Sequence, residues 1–302
     1  MSIKEAGRLS IMRQIDKKIL SIKKGAEELG ISLRQTKRLW KRYKSEGEIG
    51  LISKHRGKVS PNRIKPKLKG AVIKILARDE YAGFGPTFAN EKLKQREGYH
   101  LSEETIRKWM AEEGLWKIKS KKARKVYQRR LRRSRFGELL QGDGSRHAWF
   151  ENRGEECTIV IFVDDATSKL TAARFVLSES TVAYQEILEE HLNKYGRPMG
   201  LYVDKHAIFR VSRESLSTKE AETHFGRVLK ELGIELICAH SPQAKGRVER
   251  ANGVLQDRLI KEMRIREIST IEAANQFLPQ FIEEYNQKFG KEPRDLEDAH
   301  RP

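Results

Sequence analysis

Near residue 137 the hydrophobic pattern of this chain changes its period, and that change limits the folds open to it. Before this point apolar side chains recur at three- and four-residue intervals, over 8–20, 25–40 and 67–78 and in runs that start near 86 and 102, the spacing of amphipathic helices. After it come short β-branched and aromatic runs at 138–150, 157–164 and 170–177, each closed by a turn-forming cluster such as Asn152-Arg153-Gly154 or Asp165-Ala166-Thr167-Ser168. A helical pattern then fills 181–195, with Val182, Ile187, Leu188 and Leu192 expected inward, and a strand-like run follows at 199–204. A second helix at 221–232 and a strand at 234–239 complete the alternation. Three strands in meander followed by two that alternate with helices is the order of an RNase H-like fold. The expected class is therefore α/β, a mixed five-stranded sheet with helices, preceded by all-α helix-turn-helix modules.

The charge divides at almost the same place. Of 61 Lys and Arg and 42 Asp and Glu, residues 1–140 hold 38 and 15, a net +23, whereas residues 141–302 carry a net −4. A basic first half points to a polyanionic partner, and the acidic second half to a different task. No apolar run approaches the roughly 18 residues that a membrane-spanning helix requires, and residues 1–11 lack a signal-peptide core, so a cytoplasmic, nucleoid-associated protein of bacterial type is expected, with no membrane partner. Cys157 and Cys238 have no second cysteine at metal-ligand spacing and are expected to be reduced core residues.

Within the basic half, Gly30 sits where a helix-turn-helix needs a positive φ, and Ser32 where the second helix needs a cap. Leu39, Trp40 and Tyr43 would anchor that helix, leaving Arg34, Gln35, Lys37, Arg38 and Lys41 outward, a face suited to a DNA major groove. Residues 51–66 read as a linker, and 67–116 as a second helix-turn-helix-like module with Ser102 capping its last helix. Between Lys117 and Arg135 lie eleven basic residues and no acid, too self-repulsive for a buried element. This basic connector, 117–136, offers Lys121, Lys122, Arg124, Arg129 and Arg130 to a phosphate backbone.

In the acidic half three carboxylates fall where the fold would make them converge: Asp143 on the first strand, Asp204 at the end of the fourth, and Glu249 on the helix after the fifth. Ser241 and Pro242 are good N-cap and first-turn residues, so this last helix is expected to begin there. Val248, Ala251, Leu255 and Leu259 would form its buried stripe, and Lys245, Glu249, Asn252 and Gln256 its polar one, with Lys245 a further DNA contact. Three clustered carboxylates repel, and a hard divalent cation is their natural counter-charge. Mg²⁺ or Mn²⁺, as a pair of ions, would serve an in-line phosphoryl transfer. Taken singly, each acid has an ordinary alternative: Asp143 as a turn residue between two glycines, Asp204 as a loop cap, Glu249 as an ion-pair partner on a wet helix face. Asp164 and Asp165, the rivals for the site, are read as turn and hairpin residues, and His206 and His240 lie near it in sequence.

The runs Gln141-Gly142-Asp143-Gly144-Ser145, Phe162-Val163-Asp164-Asp165-Ala166-Thr167, Tyr202-Val203-Asp204-Lys205-His206, Phe225-Gly226-Arg227 and Ser241-Pro242-Gln243-Ala244-Lys245-Gly246-Arg247-Val248-Glu249-Arg250 resemble the integrase core of ISNCY-type insertion-sequence transposases, a DDE, retroviral-integrase-like superfamily. The resemblance extends over nearly the whole chain and implies that Asp143, Asp204 and Glu249 form the DDE triad, binding Mg²⁺ to cleave DNA at element ends and join the 3′-hydroxyl to target DNA. It also implies a catalytic core over 137–290, terminal inverted repeats and target DNA as partners, and a homo-oligomer on DNA. Members of that family continue past the core, so 291–302 is expected to be a tail cut short of a further C-terminal region. Two other readings stay open: a truncated or repurposed transposase acting as a non-catalytic DNA-binding regulator, and a stand-alone RNase H-like nuclease.

Overall fold

A computed structural model describes residues 2–54, 56–58, 63–118, 130–204, 208–209, 223–238 and 246–302. The chain forms two compact units, 1–66 and 67–302.

In the first unit, α1 (Ile3–Asp16), α2 (Ile22–Leu29) and α3 (Leu33–Glu46) pack around Met12, Ile15, Leu39 and Leu51. Helix α1 starts five residues before the expected 8–20 because Ser2 and Glu5 form a reciprocal capping box. The turn between α2 and α3 is built as the sequence indicates: Gly30 adopts φ 60°, and the Ser32 hydroxyl accepts from the Gln35 N–H at 3.3 Å. The first residues read as linker pack onto this module. Leu51 is buried, and the buried Glu5 carboxylate accepts from the Ser53 N–H at 3.0 Å and pairs with Arg56.

The second unit begins with α4 (Pro66–Leu76), α5 (Pro86–Glu97) and α6 (Glu103–Glu112), the last capped by Ser102. Strands β1 (Leu140–His147), β2 (Cys157–Asp164) and β3 (Leu170–Val176) follow, then α7 (Thr181–Tyr195), β4 (Gly200–Val203), α8 (His224–Glu231) and β5 (Glu235–Cys238). Helices α9 (Val248–Ile265) and α10 (Ile271–Phe289) complete the order. The sheet runs β3-β2-β1-β4-β5, antiparallel through β1, β2 and β3 and parallel from β1 to β4 to β5. This is the RNase H-like arrangement.

Strand β2 is buried on both faces and divides its side chains between two cores. Ile159, Ile161 and Val163 pack with Val248, Ala251, Leu255 and Leu259 of α9 and with Phe277 and Phe281 of α10. Val160 and Phe162 face Tyr184, Ile187 and Leu188 of α7 and Phe225 and Leu229 of α8. Val182, expected inward, is 60% exposed, because the inner face of α7 runs through Tyr184, Ile187, Leu188 and His191, two residues out of step with it. The edge strand β3 is shielded by two α10 asparagines whose amides pair with its backbone: Asn275 accepts from the Phe175 N–H at 2.7 Å and Asn286 from the Leu170 N–H at 2.7 Å.

The α4–α6 segment is joined to the sheet-containing core within this unit. Arg258 of α9 donates to Glu91 of α5 at 2.7 Å, Lys92 pairs with Glu262, and Arg264 reaches the Ala82 carbonyl at 2.6 Å. Residues 291–302 pack back onto the core, with the Ala299 N–H donating to the Phe136 carbonyl at 2.8 Å and a bridge between Arg197 and Arg301. Among the described residues no helix is long and apolar enough to cross a membrane.

Candidate active site

Asp143 lies inside β1 rather than in a turn, and the glycines on either side of it have a packing reason. A Cβ at Gly142 would meet Phe162 at 3.0 Å and Val203 at 3.3 Å, and one at Gly144 would meet the Glu179 carboxyl at 2.6 Å. The α7 side of the strand is therefore filled by neighbours. Because side chains alternate along a strand, Gln141, Asp143 and Ser145 share the opposite face, towards α9.

There they meet α9 in register. The Gln141 side-chain oxygen Oε1 accepts from the backbone N–H of Arg247 at 3.3 Å and of Val248 at 3.1 Å. Asn252 Nδ2 donates to Asp143 Oδ2 at 2.8 Å, and Gln256 Nε2 to Ser145 Oγ at 3.2 Å. Two strand residues advance about 6.8 Å and four helical residues about 6 Å, so the series 141, 143, 145 matches 248, 252, 256 rung for rung. Glu249 sits at the N-terminal end of this polar seam, three residues before Asn252 on the same face, and is exposed. Asn252 is buried, and its Oδ1 has no hydrogen-bond partner.

Asp204 follows β4 directly. The parallel pairing of β1 and β4 ends at Gln141 and Tyr202, and two residues further along that register stand Asp143 and Asp204. Both act on the buried Tyr184 phenol, whose pKa is driven far up by burial, by the carboxylate of Glu179 to which it donates at 2.6 Å, and then by Asp143 and Asp204. Glu179, which the sequence reading did not single out, thus stands behind the two aspartates across β1.

The helix carrying Glu249 begins at Val248, not at Ser241. Gly246 and Arg247 form a turn, and the first N–H groups are satisfied from β1 by Gln141 instead of by a local serine cap. Ser241 and Pro242 lie outside the described residues. Asp164 and Asp165 do close the β2–β3 connection, but both are fully buried. Asp164 accepts from the Gly137 and Thr167 N–H groups at 3.1 and 2.7 Å, and its pKa is raised by burial against those lowering bonds. Asp165 is more than a turn residue: it accepts from Gln141 Nε2 at 2.7 Å and the Arg133 N–H at 2.8 Å, pairs with Arg130, and faces Arg247 Nε at 3.5 Å.

The other assigned residues divide by location. Arg34, Gln35, Lys37, Arg38 and Lys41 are all exposed on α3. Arg130 is held against Asp165 and lies over the Tyr202 ring at 5.9 Å. Lys121, Lys122, Arg124, Arg129, Lys245, His206 and His240 lie outside the described residues. Cys157 is buried with its thiol pushed up to about 11 by desolvation, and Cys238 is half-buried. The donor chemistry of Asp143, Asp204 and Glu249, all carboxylate oxygens, suits a hard divalent ion. Among the described residues, no three His, Cys, Asp or Glu side chains already stand close enough to share one ion. The fit is thus one of donor type and register, with Glu249 poised at the solvent end of the seam.

Of the residues given no role from the sequence, Gln141 carried a usable signal, and Asn252 already stood on the polar face of the helix. Gln141 shares the strand face of Asp143 by period two, and Asn252 shares the helix face of Glu249 by a spacing of three. Glu179 carried none, because only the folded sheet brings it against Gly144.

Residues 8–58 match the helix-turn-helix domain family. Over its full length the chain is 44% identical to "Putative transposase y4bF" of Sinorhizobium fredii, and over 90% of its length 30% identical to the transposase for insertion sequence IS1202 of Streptococcus pneumoniae. It spans 66% and 65% of these two relatives, just under two thirds of each. Among solved structures it resembles a chain of the simian T-cell lymphotropic virus intasome in complex with PP2A regulatory subunit B56 gamma, at 17% identity and TM-score 0.40, covering 64% of this chain and 66% of that one. It also resembles the HTLV-2 integrase catalytic core domain in complex with magnesium, at 16% identity and TM-score 0.39, covering 52% of this chain and 91% of that one.

Proposed function

We propose that this chain belongs to the insertion-sequence transposases, of ISNCY type, and acts on DNA as a DDE polynucleotidyl transferase. The observation that carries the reading is that Asp143 on β1 and Asp204 directly after β4 each lie two residues beyond the last β1–β4 pair, while Asn252 and Gln256, on the Glu249 face of α9, bond to the strand of Asp143. The two transposase relatives support it over nine tenths or more of the chain. In this account α3 reads the terminal inverted repeats through Arg34, Gln35, Lys37, Arg38 and Lys41, and the 67–116 module and the basic connector add phosphate contacts. The protein assembles on DNA as a homo-oligomer in the bacterial cytoplasm.

Asp143, Asp204 and Glu249 would hold Mg²⁺ or Mn²⁺ as a pair of ions. When bound, the metal supplies activation of the attacking oxygen and charge stabilisation of the leaving one. The chain's own part is positional. Asn252 fixes the Asp143 carboxylate, the β1–β4 register sets Asp204 alongside, and the seam with β1 keeps Glu249 on the facing helix.

A second reading, a non-catalytic DNA-binding regulator, is favoured by one observation: the three carboxylates are not gathered around a common point among the described residues. Purified protein incubated with its element-end DNA and Mg²⁺ or Mn²⁺ decides between them on a gel that separates hydrolysis from joining. The transposase reading expects nicked ends and joined products, a stand-alone nuclease gives nicks alone, and a regulator gives a bound, uncut duplex.

A further inference from the structure

Gln141 is fully buried, and both ends of its amide are committed. Its nitrogen donates to Asp165 at 2.7 Å, and its oxygen accepts from the first two N–H groups of the α9 region, those of Arg247 and Val248. A primary amide has no other way to satisfy these partners. Because the Asp165 carboxylate only accepts, it forces the NH₂ end of Gln141 towards itself and the oxygen towards the helix. Arg247 provides no side-chain cap of its own, so this oxygen takes the place of the missing N-cap.

The same carboxylate holds the C-terminal end of the basic connector. Arg130 pairs with Asp165, the Arg133 N–H donates to it at 2.8 Å, and Arg132 donates to the Asp165 and Ala166 carbonyls at 3.3 and 3.0 Å. Arg247 faces Asp165 and also donates to the Arg130 carbonyl at 3.1 Å. One buried carboxylate therefore orients the cap of the helix bearing Glu249 and anchors the strand of basic residues leading to it.

We infer that Gln141 and Asp165 form a positioning pair that sets the start of α9, and with it Glu249, against the strand of Asp143, and that ties the basic connector to the same point. Neither residue touches the reacting atoms; each acts through Glu249 and the connector. The catalytic half of this inference rests on the proposed transferase activity, whereas the capping half does not.

A reciprocal exchange tests it. In Asp165→Asn the new amide can turn its NH₂ towards Gln141, which releases the glutamine to flip and sets its NH₂ against the α9 N–H groups. In Gln141→Glu two carboxylates face one another. In the double variant Gln141→Glu/Asp165→Asn the amide introduced at position 165 donates to the carboxylate introduced at position 141, which again accepts from α9; the net charge of the pair is unchanged. Amide hydrogen exchange over 246–252 should quicken at least tenfold in each single variant and return to within about threefold of the parent in the double. Metal-dependent cleavage should fall at least tenfold in kcat in each single variant, with KM for DNA unchanged in Gln141→Glu, which leaves the Arg130–Asp165 pair in place, and kcat should recover in the double.

Unchanged exchange at 246–252 in both single variants, or a double variant no better than the worse single, overturns the inference. If a single variant does not fold, Gln141→Ala, which removes the cap without repulsion, carries the same comparison. If the parent protein binds DNA but never cleaves it, the proposed function fails, and the exchange pattern alone still decides whether the pair caps α9.

Discussion

The side-chain amide of Asn252 on α9 donates to the Asp143 carboxylate on β1 at 2.8 Å, while its own oxygen is buried without a partner. A buried carbonyl left unsatisfied costs about 1–3 kcal/mol, so this residue is poorly explained by stability alone. It holds one carboxylate oxygen of Asp143 and leaves the other to its surroundings. Asn252→Leu, which removes both the bond and the orphaned oxygen, should change stability by no more than about 1 kcal/mol in urea titration. The same variant should lower metal-dependent cleavage at least tenfold. A leucine variant that is as active as the parent would show that Asn252 does not position Asp143.

The exposed face of α3 bears separately on DNA binding. Arg34, Lys37, Arg38 and Lys41 point outward while Thr36 and Leu39 fix the helix in its module. If six to ten phosphates are contacted across the basic half, affinity should fall roughly 10³- to 10⁵-fold between 50 and 200 mM salt. Replacing Lys37, Arg38 and Lys41 by Ala should flatten the slope of log affinity against log salt by about 0.9 for each phosphate that is no longer neutralised. A slope that does not change would place the DNA elsewhere on the molecule.

Acid should loosen the packing of residues 291–302. His191 is fully buried on α7 beside His300, and its pKa is pushed down to about 3 by desolvation and then by the facing His300. The nearby Asp298 works in the opposite direction. A histidine whose pKa is lower folded than unfolded stays neutral in the fold, so its contribution is complete above about 6.5 and declines as pH falls towards 3. At pH 5 the loss should be about 2 kcal/mol, read as a lower melting temperature than at pH 7.5. His191→Phe should reduce that pH dependence; a melting temperature equally sensitive to pH in the variant would assign the acid sensitivity to other groups.

Much of this architecture was legible in the residues because hydrophobic period and turn chemistry agree along most of the chain. The Gly30–Ser32 turn, the buried stripe of Val248, Ala251, Leu255 and Leu259, and the alternation of strands and helices after residue 157 all follow from local pattern. The start of α9 was not legible, because its cap comes from Gln141, over a hundred residues earlier in the chain; a local serine-proline signal at 241–242 has no means of reporting that. Asp165 was hidden for the same reason. Its sequence neighbourhood is that of a hairpin turn, and its burial depends on Arg130 and Arg247 arriving from two other segments. Asp143 was legible as a strand residue; the glycines beside it left a turn open as the alternative, and only the fold shows that their small size accommodates Phe162, Val203 and Glu179 on the far side of the strand.

The central claim is that Asp143, Asp204 and Glu249 act together in metal-dependent strand cleavage, and Asp204 is the residue on which it turns most directly. Asp204→Asn keeps the size of the side chain and removes the carboxylate from its place beside Asp143. Cleavage of labelled element-end DNA in Mg²⁺, measured alongside binding of the same duplex, should show activity at least 10³-fold below the parent with affinity unchanged within about threefold. Cleavage at the parental rate by the Asp204→Asn protein would contradict the account.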